Sequence, residues 1–293
     1  MTGEMTGEMT GEMTGEMTGE MTGEMTGVRT ESIPTIILCG GRGTRISEYN
    51  STIPKPLVPI GNRPILWHIM KIYASYGHKD FVLALGWLGD EIRRFFLHYE
   101  ALTRDFTIRY GAGGGIEYLD SAPEEGWSVS CIETGIDAET GTRVRLAAAH
   151  LGDGPVMVTY GDGVGSIDID ALLAFHRAQG KLATVTAVQP PSRFGELVVD
   201  GNGMAREFAE KPQTSAGTIN GGFMVFEREA IERYFPADFD CMLEMEPLNG
   251  LASDGELAAY EHRGFWQCVD TPRERILLGE LWERGEAPWQ TWA

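Results

Sequence analysis

Long apolar runs are missing from this sequence: no stretch approaches the roughly 20 residues that span a bilayer, so nothing in it reads as a transmembrane helix. Its opening residues have neither the basic start nor the apolar stretch of a secretory signal. Cysteine is scarce, and Cys39, Cys131, Cys241 and Cys268 form no Cys-x-x-Cys pair, which fits unpaired thiols in a reducing, cytoplasmic compartment. Cations are few as well, 24 Lys and Arg against 43 Asp and Glu, for a net charge of −19. Such a surface repels polyanions and disfavours nucleic acid and anionic membrane as partners. The six histidines show no metal-ligand spacing, and no Ser-His-Asp or Cys-His arrangement offers a nucleophile. No hexapeptide repeat occurs either, so no appended β-helical acyltransferase domain is expected.

What the sequence does have begins with low complexity. The first 27 residues are six copies of Met-Thr-Gly-Glu and a truncated seventh. One apolar residue in four gives neither a helical stripe nor a strand alternation, so no core can form there, and residues 1–31 are expected to be a disordered tail. An acidic interaction arm is the alternative reading. With the six glutamates of the repeats set aside, the remainder carries a net charge of −13. Residues 32–293 suit one large α/β domain. Any phosphorylated substrate would need a local basic pocket within it.

Along this body the hydrophobic period alternates between strand and helix. Apolar runs at 36–38, 81–85 and 155–160 read as buried parallel strands. Pro64 opens a helix with Ile65, Leu66, Ile69, Met70 and Tyr73 at helical spacing, and Ile92, Phe95, Phe96 and Tyr99 mark an amphipathic helix. Gly111 to Gly126, glycine-rich and acidic, reads as a long loop. A helix from about Asp168 to Gln179 and a strand at 183–188 follow. Glu196–Val199, the turn Gly201-Asn202-Gly203 and Ala205–Ala209 then read as a β-hairpin, closed by Glu210-Lys211-Pro212. Asn220-Gly221-Gly222 leads into a strand at 223–226, and Leu257–His262 is another. Thr271 caps a final helix that Pro272 opens. The expected class is α/β, a Rossmann-like and mostly parallel sheet flanked by helices, with a hairpin-containing second half.

Two features carry chemistry. The strand at 36–38 breaks into Cys39-Gly40-Gly41-Arg42-Gly43-Thr44-Arg45, with Pro54-Lys55-Pro56 ten residues on. Glycines at a strand's C-terminal end let backbone N–H groups approach a polyphosphate with no Cβ in the way, and Arg45 and Lys55 add the cations a triphosphate needs. A Walker loop is excluded because Gly43 is followed by Thr44-Arg45, and a dinucleotide turn because Ile46 stands where its last glycine belongs. The second feature is Asp162 and Asp270, each just past a strand-like segment, which together with a triphosphate loop point to Mg²⁺ between carboxylates and phosphates. Either aspartate alone could equally be a turn or cap residue. Lys211, extended by the following Pro212, can aim into a cleft or lie solvated on the hairpin.

The string from Leu38 to Arg45 with the Pro-Lys-Pro motif resembles the signature of the sugar-nucleotide pyrophosphorylases, nucleotidyltransferases that join a sugar 1-phosphate to a nucleoside triphosphate. The order of Gly161-Asp162-Gly163, Glu210-Lys211-Pro212, Asn220-Gly221-Gly222 and Asp270 is similar to theirs. The strings at 64–70, 134–135 with 140–143, 159–164, 193–195, 219–223, 246–248, 264–267 and 287–292 more narrowly resemble the branch that uses CTP and glucose 1-phosphate. The resemblance spans about Ile33 to Trp292. It implies a nucleotide-binding half at 32–165, a sugar-phosphate-binding half at 166–272, a closing helix and end at 273–293, and a homo-oligomer.

Carried over residue by residue, the resemblance assigns nucleotide binding to Leu38, Cys39, Gly40, Gly41, Arg42, Gly43, Thr44, Arg45, Lys55, Gly86 and Arg143, the last in a loop reaching toward a neighbouring subunit. It assigns Mg²⁺ to Asp162 and Asp270, the sugar to Glu210 and Asn220, and the sugar phosphate to Lys211. Catalysis falls to Arg45, Lys55 and Lys211. The segment Gly86-Trp87-Leu88-Gly89-Asp90 lacks the amide side chain with which thymidylyltransferases of this kind read thymine, so backbone groups near Gly86 and the Leu38–Arg42 loop are expected to read cytosine. Another nucleotide or a cyclitol phosphate is one alternative, and a catalytically dead nucleotide-binding paralogue is another.

Overall fold

In a computed structural model the described residues are 32–41, 52–122, 124–190, 196–199, 201, 204–209 and 217–292. The tail reading at 1–31, the Arg42–Arg45 end of the glycine loop, and Glu210 and Lys211 lie outside them. The elements run β1 (Thr35–Leu38), α1 (Ile65–Ser75), β2 (Asp80–Leu85), α2 (Gly89–Leu97), α3 (Tyr99–Thr103) and β3 (Ser128–Glu133). They continue with α4 (Thr140–Ala148), β4 (Val156–Tyr160), α5 (Ile169–Gln179), β5 (Ala183–Val188), β6 (Ile219–Asn220) and β7 (Met224–Phe226). The last are α6 (Arg228–Tyr234), α7 (Glu246–Ser253), β8 (Leu257–His262) and α8 (Pro272–Glu283).

The eight labelled strands form one sheet in the order β3-β2-β1-β4-β7-β5-β8, with β6 beside β7 on the same edge of β5. Every pairing is parallel except those of β6 and β7, which run against β5 and β4. The mostly parallel sheet expected from the sequence is thus present. Its central strand shows why: Thr35, Ile36 and Ile37 are all fully buried, and alternate side chains enter different cores. Ile37 packs with α1 and α5 residues such as Ile69, Tyr73 and Leu172, whereas Ile36 packs with Val144 and Ala147 of α4 and Leu248 of α7. Both faces are covered, as a parallel sheet requires.

The helix starts read from the sequence also hold. Asp168 caps α5 by accepting from the Ala171 N–H, and Thr271 with Glu274 forms a capping box at α8. The hairpin of Glu196–Val199 with Ala205–Ala209 is present as an antiparallel pair.

Two expectations are corrected, and one strand goes beyond them. Phe95, Phe96 and Tyr99 do not lie on one helix: α2 ends at Leu97, and Tyr99 opens α3. Of these apolar residues only Ile92 is buried, and the rings pack on each other across the break between the two helices, Phe95 to Tyr99 at 5.4 Å. The Gly111–Gly126 stretch is not wholly loop, because Gly115–Tyr118 pairs antiparallel with Phe106–Arg109. There Gly111 and Gly113, at φ 109° and 78°, make the turn that the glycines had suggested was irregular chain. Finally β3, a half-exposed edge strand, was not anticipated; its Ser-Val-Ser-Cys-Ile-Glu sequence lacks the continuous apolar run of the buried strands.

Candidate active site

Chain order reverses between β1 and β4, which are neighbours while β2 and β3 lie on the far side of β1. In open parallel sheets ligands settle at that reversal, outside the strands' C-terminal ends. A cleft of about 500 Å³ opens there, lined by Cys39, Gly40, Gly41, Lys55, Arg143, Tyr160 and Asp162 among others. A second hollow of about 590 Å³ lies among α2, α3 and β3 and contains none of the nucleotide-, sugar- or metal-binding candidates read from the sequence, so the chemistry selects the first.

The turn Lys55–Leu57, stiffened by Pro54 and Pro56, puts Lys55 in the cleft. Its Nζ donates to Asp162 Oδ2 at 2.5 Å and to Asp270 Oδ1 at 2.6 Å. Burial works against the ammonium, but Asp162 and then Asp270 outweigh it and hold Lys55 above the usual lysine range. The two aspartates are 107 and 215 residues from Lys55 in sequence. A short antiparallel ladder joins them: Gly163–Gly165 pairs with Trp266–Cys268, and the Val269 N–H donates to Asp162 O at 2.8 Å. Gly161 has its own reason to be glycine, since a Cβ would come within 2.7 Å of Leu38 O.

The two carboxylates around one ammonium leave the cluster net negative and already accommodate a cation at their convergence. Hard oxygen donors of this kind fit Mg²⁺. No group of three or more His, Cys, Asp or Glu side chains poised for a metal occurs among the described residues, so further ligands would come from phosphates and water, as is usual for Mg²⁺. Thiolate ligation is disfavoured at this site. Burial, and then the charge of Asp270, pushes the neighbouring Cys268 thiol up to about 12, and burial pushes Cys39 well above the thiol range.

Arg143 is where the sequence reading needs most revision. It stands in the first turns of α4, not in a loop, and it is buried. Its guanidinium donates to the carbonyls of Leu85, Gly135, Gly40 and Ile136 and to the Thr134 hydroxyl, at 2.7 to 3.3 Å. A cation surrounded by neutral oxygens stitches the ends of β1 and β2 to the 134–136 segment. Gly40 and Gly86 flank it so closely that a Cβ at either would lie 2.2 and 2.4 Å from its Nη1. Gly86 touches this clamp and does not line the cleft itself.

The glycine loop divides as well. The Cys39 N–H donates to Ala84 O, and Leu38 O accepts from the Gly161 N–H, so both residues are tied into the sheet frame. Beyond them Gly40 and Gly41 follow along the cleft wall, the Gly40 carbonyl accepting from the Trp87 N–H and from Arg143. Asn220 ends β6, where its Oδ1 accepts from the Gly222 N–H at 3.0 Å and its Nδ2 donates to the Tyr160 hydroxyl at 3.1 Å. Sequence reading missed the partners that continue this chain, Glu244 and Thr140; nothing local marks residues that meet across 104 positions. His68 is structural: Nε2 meets Ile60 O and Nδ1 accepts from the Trp289 indole.

Residues 34–269 match the family model described as nucleotidyl transferase, and the chain belongs to that family. Its relatives point to one branch. It is 43% identical over 257 residues, 88% of this chain and 99% of the relative, to a probable glucose-1-phosphate cytidylyltransferase of Bacillus subtilis. It is 44% identical over 259 residues, 88% of this chain and 98% of the relative, to the glucose-1-phosphate cytidylyltransferase of Salmonella typhi. Among solved structures, HddC from Yersinia pseudotuberculosis shares the fold at a TM-score of 0.62 and 21% identity, covering 85% of this chain and 99% of HddC. No described helix is long and apolar enough to cross a membrane.

Proposed function

We propose that this protein transfers a cytidylyl group from CTP to α-D-glucose 1-phosphate, giving CDP-glucose and pyrophosphate. The observation that carries the reading is the Lys55 ammonium between Asp162 and Asp270 at the sheet's reversal point, in a chain 43% and 44% identical to glucose-1-phosphate cytidylyltransferases over nearly their whole length. A phosphate oxygen of the sugar 1-phosphate attacks the α-phosphorus of CTP in line; the new P–O bond forms as the bond to the bridging oxygen breaks, and pyrophosphate leaves. Both reactants are anions, so the protein's task is to position them and neutralise charge, with no covalent enzyme intermediate.

In this reading the backbone from Gly40 onward, with Arg45 and Lys55, holds the triphosphate. Lys211 neutralises the sugar phosphate, while Glu210 and Asn220 bind sugar hydroxyls. Asp162 and Asp270 hold Mg²⁺, which when bound supplies further charge neutralisation and orientation of the phosphates. Lys55 is engaged by both carboxylates in this structure, so its release toward phosphate is coupled to how those carboxylates are otherwise balanced.

The test is pyrophosphate release with glucose 1-phosphate and each of CTP, dTTP, UTP, ATP and GTP. CTP is expected to give the highest kcat/KM, by roughly tenfold or more for each buried hydrogen bond that the wrong base leaves unmade. Equal or greater kcat/KM for another nucleotide overturns the base assignment, and no pyrophosphate from any pair overturns the transfer reaction.

A further inference from the structure

Glu244 precedes α7, outside every role assigned above, yet both of its oxygens are engaged at the rim of the cleft. Oε1 accepts from the Tyr160 hydroxyl at 2.5 Å, and Oε2 accepts from the Thr140 hydroxyl at 2.9 Å. Thr140 Oγ1 itself accepts from the Leu243 N–H at 2.8 Å, so its one proton is left for Glu244. Tyr160 and Thr140 both line the cleft. On its far side, Tyr160 takes the Nδ2–H of Asn220.

The direction of this chain follows from proton counting. A phenol has one proton, and Tyr160 gives it to a carboxylate that has none to return, so toward Asn220 its oxygen can only accept. Asn220 must therefore present its NH₂ to Tyr160. The Gly222 N–H independently demands the amide oxygen on the other side. The second Nδ2 proton faces the Met224 sulfur at 3.8 Å. Both donors of the amide are engaged, and what remains is a lone pair on Oδ1.

We propose that Glu244 is a specificity-determining positioning residue: acting through Tyr160, it fixes the Asn220 amide so that Asn220 meets a sugar hydroxyl only as an acceptor. A substrate must then donate from a hydroxyl at that place, and an analogue lacking it leaves the Oδ1 lone pair unmatched. The proposal rests on the reading that Asn220 faces the sugar.

The test compares wild type with Glu244→Gln, which can donate as well as accept, and Tyr160→Phe, which removes the relay. Steady-state kinetics use CTP with glucose 1-phosphate and with its 2-, 3-, 4- and 6-deoxy analogues. Both variants are expected to lose about tenfold in kcat/KM for glucose 1-phosphate, through the sugar, while the KM for CTP stays within about twofold. For one deoxy analogue, wild type and variants become equal, because the contact they differ in is gone. Equal losses for all sugars, or a loss on the CTP side, overturn the proposal. A second readout needs no substrate: with ¹⁵N-labelled asparagine, the Asn220 Nδ2 protons are expected to shift in both variants, and unchanged resonances overturn the relay. Wild type inactive with CTP but with a responsive Asn220 amide would instead sink the proposed function and leave the relay standing.

Discussion

Lys55 and Arg143 line the same cleft, and they differ in what surrounds the charge. Lys55 meets two carboxylates and keeps some exposure, 15% of its side chain. Arg143 is buried and meets only carbonyls and a hydroxyl. An ammonium between carboxylates belongs to a cluster whose balance changes when phosphates or a cation arrive. A guanidinium whose partners are backbone carbonyls has nowhere to go, because leaving would strand several buried acceptors. One cation is placed to respond to ligand and the other to hold the frame in which ligand is met.

Substitutions should separate the two along that line. Asp162→Asn and Asp270→Asn are each expected to cut turnover by about a hundredfold or more while the protein stays folded, since the amide keeps shape but removes the charge that holds a cation. Lys55→Ala belongs with them, with weakened CTP binding by calorimetry. Near-normal turnover at saturating Mg²⁺ in any of these would take that residue out of the phosphate site. Arg143→Lys should instead act on the fold. A lysine cannot satisfy the same fan of carbonyls, and a loss of about 3 kcal/mol in denaturant unfolding is expected. An Arg143→Lys protein that is as stable as wild type but fails to bind CTP would reverse the comparison and return Arg143 to the nucleotide.

Acid should expose a further frame element. Burial lowers His68 from 6.5 to about 4, with its ring wedged between Ile60 O and the Trp289 indole N–H. A histidine held neutral in the fold but protonated when unfolded contributes stability that is complete above about pH 6.5. That stability is lost as pH falls toward 4, by up to about 3 kcal/mol. Unfolding midpoints between pH 7 and 4 should therefore fall more steeply for wild type than for His68→Gln, and parallel profiles would remove His68 as the cause. The smallest effect is expected at Cys39→Ala. The thiol is buried and kept protonated, so its loss costs about 1 kcal/mol of packing and leaves kcat unchanged. A large fall in kcat would give the Cys39 side chain a role its neutral, buried setting does not support.

Most of the site's ingredients could be read in the chain, though their arrangement could not. The strand at Thr35–Leu38, the glycines after it, and the aspartates past Tyr160 and Val269 carry local signals: a β-branched run, missing Cβ atoms, a carboxylate at a strand end. Arg143 was placed in a loop by the resemblance and not by any local pattern, and packing of Val144 and Ala147 against the sheet makes the segment helical. The Gly111–Gly126 stretch went the other way, because its glycines terminate one strand and admit another.

What the sequence determined by itself was the alternation of buried strands and amphipathic helices, the helix start near Asp168 and the cap at Thr271, and which residues could carry charge at strand ends. Those depend on neighbours within a few positions, where backbone sterics and side-chain period act directly. Only the tertiary structure decided that Lys55 sits between Asp162 and Asp270, that Arg143 holds carbonyls, and that Glu244 orients Tyr160 and Asn220. Those contacts join residues up to 215 positions apart, and hydrogen bonding at about 3 Å is decided by strand order and register, which no local pattern of residues encodes.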